Sequence, residues 1–415
     1  MRNFMSKKLL ILSEVFHPEN FVINDLAMHW AEEGCECEVL TRVPSYPAGM
    51  PLKGYRNRIY QKTHSFGLPV HRVGIVSGYQ RNLVRKMLNY MNFCFLTTMM
   101  LLFRGNRYDR IFVYQTGPLT VALAAVISRM LYRQKVIIWS QDLWPDTVFA
   151  YGFRKTRLRM VMLNVFVKWI YKRCDIIMVS SEGFIDKIRK MVPGSEVIYV
   201  PNWPDINCKR VGIKSLPEGF NFTFAGNVGK VQNLRNVLAG FALFAEKNHP
   251  NAWLNIIGDG SNLKALKSLV EEKKIPNVNF TGFRPPNEMP SYFAASDVLV
   301  ISLNDAPLFE LIVPLKFHSY LTASRPIYAI VNGEVTRLVK RYSLGVSADP
   351  SDIESISGGF ERLYYASQTE LKNYSANAAG MTRNGYSKEK NIAMITSILW
   401  PSEIGLKQAD LHRAM

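Results

Sequence analysis

A chain of 415 residues with 48% hydrophobic and 20% charged side chains is long for one core and ordinary for a globular protein, so two domains are expected. Its formal charge of +18 calls for an anionic partner. No recognised nucleic-acid-binding motif accompanies that charge, which sets nucleic acid aside and favours an anionic membrane surface.

Lys7 and Lys8 lead directly into Leu9, Leu10, Ile11 and Leu12, an apolar run too short for a secretory leader and suited to a first buried strand. Further strand patterns follow at 37–41, 70–73, 110–114, 135–139, 175–180 and 197–200. Helical patterns fall between them at 22–33, 118–131, 157–172 and 182–191. Near-continuous apolar strands alternating with helices mark a parallel sheet covered on both faces. The charge is uneven along this half. Residues 51–135 hold fourteen Lys or Arg and one acid, Asp109. Within that block the apolar stretch 87–103 is bracketed by Arg81, Arg85 and Lys86 and by Arg104, Arg107 and Arg110. It is at the lower limit of about 17–25 residues for a spanning helix. The alternatives are a core helix with solvated flanks and a basic, apolar surface resting on an anionic leaflet. The second is preferred, each basic residue near the surface adding ~1 kcal/mol.

Pro201-Asn202-Trp203-Pro204-Asp205 reads as a stiff, non-helical hinge. Strand patterns restart at 221–225, 253–257, 278–281, 298–302 and 326–330, and a last helical pattern covers 388–400. The expected fold is α/β, with two doubly wound, Rossmann-like domains facing across a cleft. The first spans 1–200 and the hinge 201–205. The second spans 206–385, and a C-terminal helix within 386–415 packs back towards the first domain. Ligands of such sheets bind at the carboxyl ends of strands. Cys35, Cys37, Cys94, Cys174 and Cys208 are scattered without a CxxC pair and are expected to be reduced, cytoplasmic thiols.

Three segments of the second half suggest a phosphate site. Gly226-Asn227-Val228-Gly229-Lys230 leaves a strand in a turn whose glycines let backbone amides approach an anion, with Lys230 as a point charge. Gly258-Asp259-Gly260 ends the next strand pattern, as a ligand turn or only a tight turn. Pro314-Leu315-Lys316 opens a helix whose unpaired amides and dipole suit a diphosphate, and Glu310 lies just upstream. In the first half, Asp142 follows a strand between Trp139 and Trp144. It either orients and deprotonates an acceptor hydroxyl or caps a helix begun at Leu143.

Together these segments resemble glycosyltransferase family 4, retaining enzymes of the GT-B fold. Phe16-His17-Pro18-Glu19-Asn20-Phe21, Pro44-Ser45-Tyr46-Pro47-Ala48-Gly49 and Asp142-Leu143-Trp144-Pro145-Asp146 are similar to the subgroup that builds bacterial capsule, O-antigen and colanic-acid glycans, which includes L-fucosamine transferases. The resemblance implies donor binding by Gly226, Asn227, Gly229, Lys230, Gly258, Asp259, Pro314, Leu315, Lys316 and Ser319. It implies acceptor binding by Asn20, Phe21 and Trp144, and catalysis by Asp142 and Glu310. The family commonly carries two glutamates with seven residues between them. Here Glu310 stands one residue from the first position and Ser319 occupies the second, with His318 as a possible substitute. Gln141 replaces the frequent histidine before Asp142, and Asn20-Phe21 replaces a small, Gly-rich pair.

The implied reaction is retaining transfer of an N-acetylated or deoxy amino sugar from a UDP-sugar to a polyprenyl-diphosphate-linked glycan. It would take place at the cytoplasmic face of a bacterial plasma membrane. Neither a cofactor nor a metal is expected, since no Asp-x-Asp pair stands at a strand end. The departing diphosphate would be met by fixed amides and cations, its own oxygen sharing in removal of the acceptor proton. The alternatives are a UDP-sugar 2-epimerase on a similar fold and a non-catalytic sugar-nucleotide-binding subunit of an assembly complex.

Overall fold

The computed structural model describes residues 8–150, 156–204, 216–247 and 249–401. The chain divides into two compact units, Met1–Val200 with Asn391–Met415, and Pro201–Lys390.

The strands of the first unit are β1 (Leu9–Ser13), β2 (Cys37–Arg42), β3 (Tyr60–Ser65), β4 (Leu68–Val73), β5 (Arg110–Gln115), β6 (Lys135–Ser140), β7 (Ile176–Val179) and β8 (Val197–Tyr199). Its helices include α1 (Ile23–Glu32), α2 (Leu83–Arg104), α3 (Val121–Tyr132), α4 (Asp146–Ala150), α5 (Arg157–Tyr171) and α6 (Gly183–Met191). The sheet order is β3-β4-β2-β1-β5-β6-β7-β8. Every pairing is parallel except β3 with β4. The central strands are buried throughout because helices cover both faces.

Strand β3 has no counterpart among the sequence expectations. Its pattern, Tyr-Gln-Lys-Thr-His-Ser, is polar, and its residues alternate between exposed and half-buried. An edge strand needs no apolar run, since one side of its ladder faces water.

The second unit contains β9 (Phe220–Ala225), β10 (Ala252–Ile257), β11 (Val278–Gly282), β12 (Val298–Ser302), β13 (Ile327–Ile330) and β14 (Gly345–Ala348). They form one parallel sheet in the order β11-β10-β9-β12-β13-β14. The helices are α7 (Leu234–Ala245), α8 (Leu263–Lys273), α9 (Met289–Ala295), α10 (Leu315–Ala323), α11 (Glu334–Arg341), α12 (Ile353–Tyr364) and α13 (Gln368–Asn384). The four-residue β14 also lay below what an apolar run reveals. Helix α14 (Lys388–Leu399) carries the chain back into the first unit. There Trp30 Nε1 donates to Thr396 Oγ1 at 3.0 Å, and the Trp30 and Trp400 rings meet edge to face at 5.9 Å.

Each sheet reverses its winding once, between β1 and β5 in the first unit and between β9 and β12 in the second. Loops that leave adjacent strands in opposite directions open a crevice at such a point. Cys35, Cys37, Cys94 and Cys174 are free thiols, and Cys208 lies outside the described residues.

Candidate active site

In the first unit the crevice is a pocket of about 930 Å³. Glu14 follows β1, Arg42 ends β2, Thr116 and Gly117 follow β5, and Asp142 follows β6, and all of them line it. Two of the three sequence motifs meet here through one carboxylate. Glu19 Oε1 accepts from the backbone N–H of Ser45 (2.8 Å) and Tyr46 (2.6 Å), and its Oε2 accepts from Phe16 N–H (3.4 Å). That bridge holds the two loops together and sets Phe21 and Tyr46, with ring centroids 5.6 Å apart, in the pocket wall.

Asp142 caps no helix, because α4 begins only at Asp146 and Leu143 precedes it in an irregular segment. Gln115 Nε2 donates to the carbonyls of Gly117 (2.6 Å) and Asp142 (3.2 Å), tying the β5 and β6 ends together. Burial pushes the Asp142 carboxyl up to about 7, against the opposing charge of Lys86. Burial likewise raises Glu14, with Arg42 and Lys86 acting the other way. Trp144 lines the pocket. Trp139 is fully buried and donates its indole N–H to the Val200 carbonyl at 3.1 Å, so it belongs to the core. Asn20 is exposed and forms no part of the pocket wall, unlike its neighbour Phe21.

Helices α2 and α5 supply the remaining walls. On α2 the inward residues Asn89, Phe93, Thr97 and Leu101 are buried, while Val84, Leu88, Met91 and Phe95 face solvent. The 87–103 stretch is thus neither fully core nor a span, and among the described residues no helix is long and apolar enough to cross a membrane. Helix α5 is similar. Leu158, Val161, Met162 and Val165, spaced i, i+3, i+4 and i+7, are 71%, 54%, 64% and 63% exposed. Neither helix contains an acidic residue.

In the second unit, three of the expected donor segments converge. Gly226 follows β9 with φ +130°, and a methyl group on it would stand 3.2 Å from Lys316 Nζ. Gly258 follows β10 with φ +139°, and a methyl there would overlap the Gly226 carbonyl. Asp259 clamps the two loops, its carbonyl accepting from Val228 N–H at 2.8 Å. Gly229 N–H donates to Gln232 Oε1 at 3.0 Å. Asn304 donates from its backbone to the Val231 carbonyl (2.8 Å) and from Nδ2 to the Lys230 carbonyl (3.1 Å), while the Lys230 side chain is exposed.

Pro314 does not start the helix. It occupies the N-cap in extended conformation (ψ 147°), and α10 runs from the largely exposed Leu315. Lys316 is half-buried along its stem, yet its ammonium is out of solvent, has no hydrogen-bond partner among the described residues and lies 3.7 Å from the centroid of the Phe224 ring. Burial alone lowers it to about 7.

His318 is a core residue. It is 1% exposed, packed 5.0 Å from the Tyr386 ring, and pushed down to about 3 by burial, so it is neutral. Ser319 is half-buried and its carbonyl accepts from Thr322 Oγ1 at 2.7 Å. Glu310 is exposed, and its backbone carbonyl accepts from Glu334 N–H at 2.7 Å beside Gly333, so this loop is anchored at the start of α11. Sequence reasoning missed Glu14, Arg42, Lys86 and the α5 stripe. The available signals were a charged residue directly after an apolar strand and helical spacing of apolar residues beside arginines.

Two family models cover most of the chain. "Glycosyl transferase 4-like domain" matches residues 20–203, and "Glycosyl transferases group 1" matches residues 212–381. A probable glycosyltransferase of Pseudomonas aeruginosa, WbjE, is 23% identical over 328 residues, 75% of this chain and 80% of that protein. Among solved structures, a sucrose-phosphate synthase of Thermosynechococcus elongatus superposes with a TM-score of 0.72 at 14% identity, covering 95% of this chain and 98% of that one. Anabaena HepE in complex with UDP gives 0.68 at 14% identity, with 95% and 99% covered. These similarities place the chain in the two-domain GT-B fold.

Proposed function

We infer that this chain, which belongs to the family 4 glycosyltransferases, moves an N-acetylated or deoxy amino sugar from a UDP-sugar to a polyprenyl-diphosphate-linked glycan of a bacterial surface polysaccharide. The observation that carries the reading is Asp142, a carboxyl raised to about 7 at the end of β6, in the wall of a pocket at the winding reversal. A base poised near neutrality can take the proton of an acceptor hydroxyl as the bond forms. The acceptor oxygen bonds to the anomeric carbon, the bond from that carbon to phosphate breaks, and UDP leaves with the electron pair. The acceptor proton goes to Asp142 or to the departing phosphate oxygen. The second unit supports the UDP end. Gly226 and Gly258 keep the approach to a diphosphate clear of side chains, with Asn227, Gly229 and Asp259 in the same turns. Pro314 and Leu315 open α10, whose first amides meet it, and Ser319 lies one turn further along the helix. Lys316 supplies a charge that strengthens as its partner becomes more anionic. Glu310 approaches the donor sugar, and Phe21, Trp144 and the exposed Asn20 approach the acceptor.

The outward stripes of α2 and α5 support peripheral attachment to the inner face of the plasma membrane. They carry exposed apolar side chains beside Arg81, Arg85, Arg157, Arg159, Lys168 and Lys172, and the pocket lies between these helices. An acidic leaflet complements that surface, and a lipid-linked acceptor enters from the same side.

The test is UDP release with a panel of UDP-sugars, with and without lipid-linked acceptor, for wild type, Asp142→Asn and Glu310→Gln. Acceptor-dependent release lost in both variants is expected. Free or epimerised sugar without acceptor would move the assignment to an epimerase. UDP binding with no release across the panel would leave a binding subunit.

A further inference from the structure

Glu14 and Arg42 have no task in the transfer just described. They stand at the carboxyl ends of the adjacent parallel strands β1 and β2, and both line the pocket that contains Asp142. Glu14 is 6% exposed and Arg42 5%. Arg42 Nη1 lies 3.8 Å from Glu14 Oε2, beyond hydrogen-bond length, while Glu14 Oε1 and Arg42 Nε have no hydrogen-bond partner among the described residues. A buried ion pair with unused bonding capacity is costly, and a stable fold usually removes it. Glu19, the neighbouring buried carboxylate, shows the structural alternative, with three backbone amides donating to it. Nor is the Glu14 site filled from the side, because a methyl on Gly117 would still stand 3.5 Å from Oε2.

We propose that Glu14 and Arg42 form the recognition site for the acceptor's sugar, binding one neutral ring substituent that both donates and accepts, a hydroxyl or an acylamino group. The substituent gives a hydrogen bond to Glu14 Oε1 and takes one from Arg42 Nε. The pair selects against other chemistries: Glu14 repels a carboxylate or phosphate, Arg42 repels a cation, and a purely apolar group would leave both unbonded. The inference rests on the reading that the first unit receives the acceptor. It adds which chemistry of the acceptor is read and by which atoms.

The experiment measures turnover with farnesyl-diphosphate-linked N-acetylglucosamine and N-acetylgalactosamine, and with their deoxy and N-deacetylated analogues. For wild type, one analogue should lose about 10–100-fold in kcat/KM, the effect of one hydrogen bond to a charged group. Glu14→Gln should raise the acceptor KM by a similar factor, keep the donor KM, and show little further loss with that same analogue. Equal turnover of all analogues by wild type overturns the proposal. So does a folded Glu14→Gln protein whose loss is the same for every analogue. The analogue series on wild type stands alone if the variant does not fold. Absence of UDP release with any lipid-linked acceptor defeats the transfer reading, and this proposal with it.

Discussion

Directly after β1 the chain places Glu14, and directly after β9 it places Gly226. Both positions lie at the winding reversal of a parallel sheet, yet one carries a buried carboxylate and the other no side chain at all. The first unit surrounds its crevice with side chains of both signs, Glu14 and Asp142 with Arg42 and Lys86. The second clears side chains away with Gly226, Gly258 and Gly260, all at positive φ, and retains one desolvated amine, Lys316. Mixed charges at fixed positions suit a neutral, hydroxyl-rich ligand that must be told from its isomers. Turns cleared of side chains beside a helix N-terminus and a buried lysine suit a polyanion, whose charge matters more than its stereochemistry.

The sharpest division between the units is expected from Asp142→Asn. It should lower kcat by roughly 10²–10⁴-fold, the usual contribution of a general base, with the donor KM nearly unchanged. The ascending limb of the wild-type pH–rate profile, expected near the Asp142 value of about 7, should disappear. A profile that keeps its limb in the variant would assign the proton to the departing phosphate instead.

Lys316→Met should act on the other unit, raising the donor KM by about 10–100-fold while leaving the acceptor KM alone. Because burial holds free Lys316 at about 7, a diphosphate must bring a proton with it above that pH. Donor affinity should therefore fall by about tenfold per pH unit above 7, until the pKa of the bound state is reached. Calorimetry across pH with UDP checks it, and a flat dependence would remove Lys316 from the site. Stability supplies the complementary readout. Asp142 is raised, so its contribution is fully present below its unfolded value and is lost as pH climbs towards 7. Lys316 is lowered, so its contribution is present above its unfolded value and is lost as pH falls towards 7. Near neutrality both groups oppose folding, and both variants should melt above wild type.

A smaller effect belongs to the face of the first unit. Replacing Val161 and Val165 on α5, which lie outside the pocket wall, by Glu should weaken binding to phosphatidylglycerol vesicles by at least about tenfold, since burial of each apolar side chain contributes about 1.5–3 kcal/mol. Turnover of a water-soluble, short-chain acceptor should stay at the wild-type level. Unchanged vesicle binding would leave α2 alone as the docking element.

What could be read in the sequence followed the same division. Apolar strands and Gly-containing turns have local signatures, so the parallel core of both sheets and the Gly226, Gly258 and Lys316 segments were visible along the chain. The floor of the first pocket was not. Asp142 alone stood out there, while Glu14, Arg42 and Lys86 come from three other segments that only the winding order brings to it. His318 misled for a related reason. An imidazole one residue from an expected carboxylate position looks functional in the sequence, but on α10 that residue points into the core beside Tyr386. Strands β3 and β14 escaped because a polar edge and a four-residue strand carry too little apolar periodicity to register.

Glycine substitutions act on stability and give the most direct contrast between the crevices. Gly258→Ala forces a side chain onto φ +139° and into the Gly226 carbonyl, so it should destabilise the second unit by ~1–3 kcal/mol. Gly117→Ala meets only Glu14 Oε2 at ordinary contact distance and should change stability by less than about 0.5 kcal/mol. Thermal unfolding of the two variants against wild type decides. Equal destabilisation would mean that both crevices are closed by backbone packing, and the contrast between a side-chain site and a backbone site would fail. A large difference in the expected direction would locate rigidity in the second unit's turns. The first unit's crevice would then owe its shape to side chains, which substitution can retune one at a time.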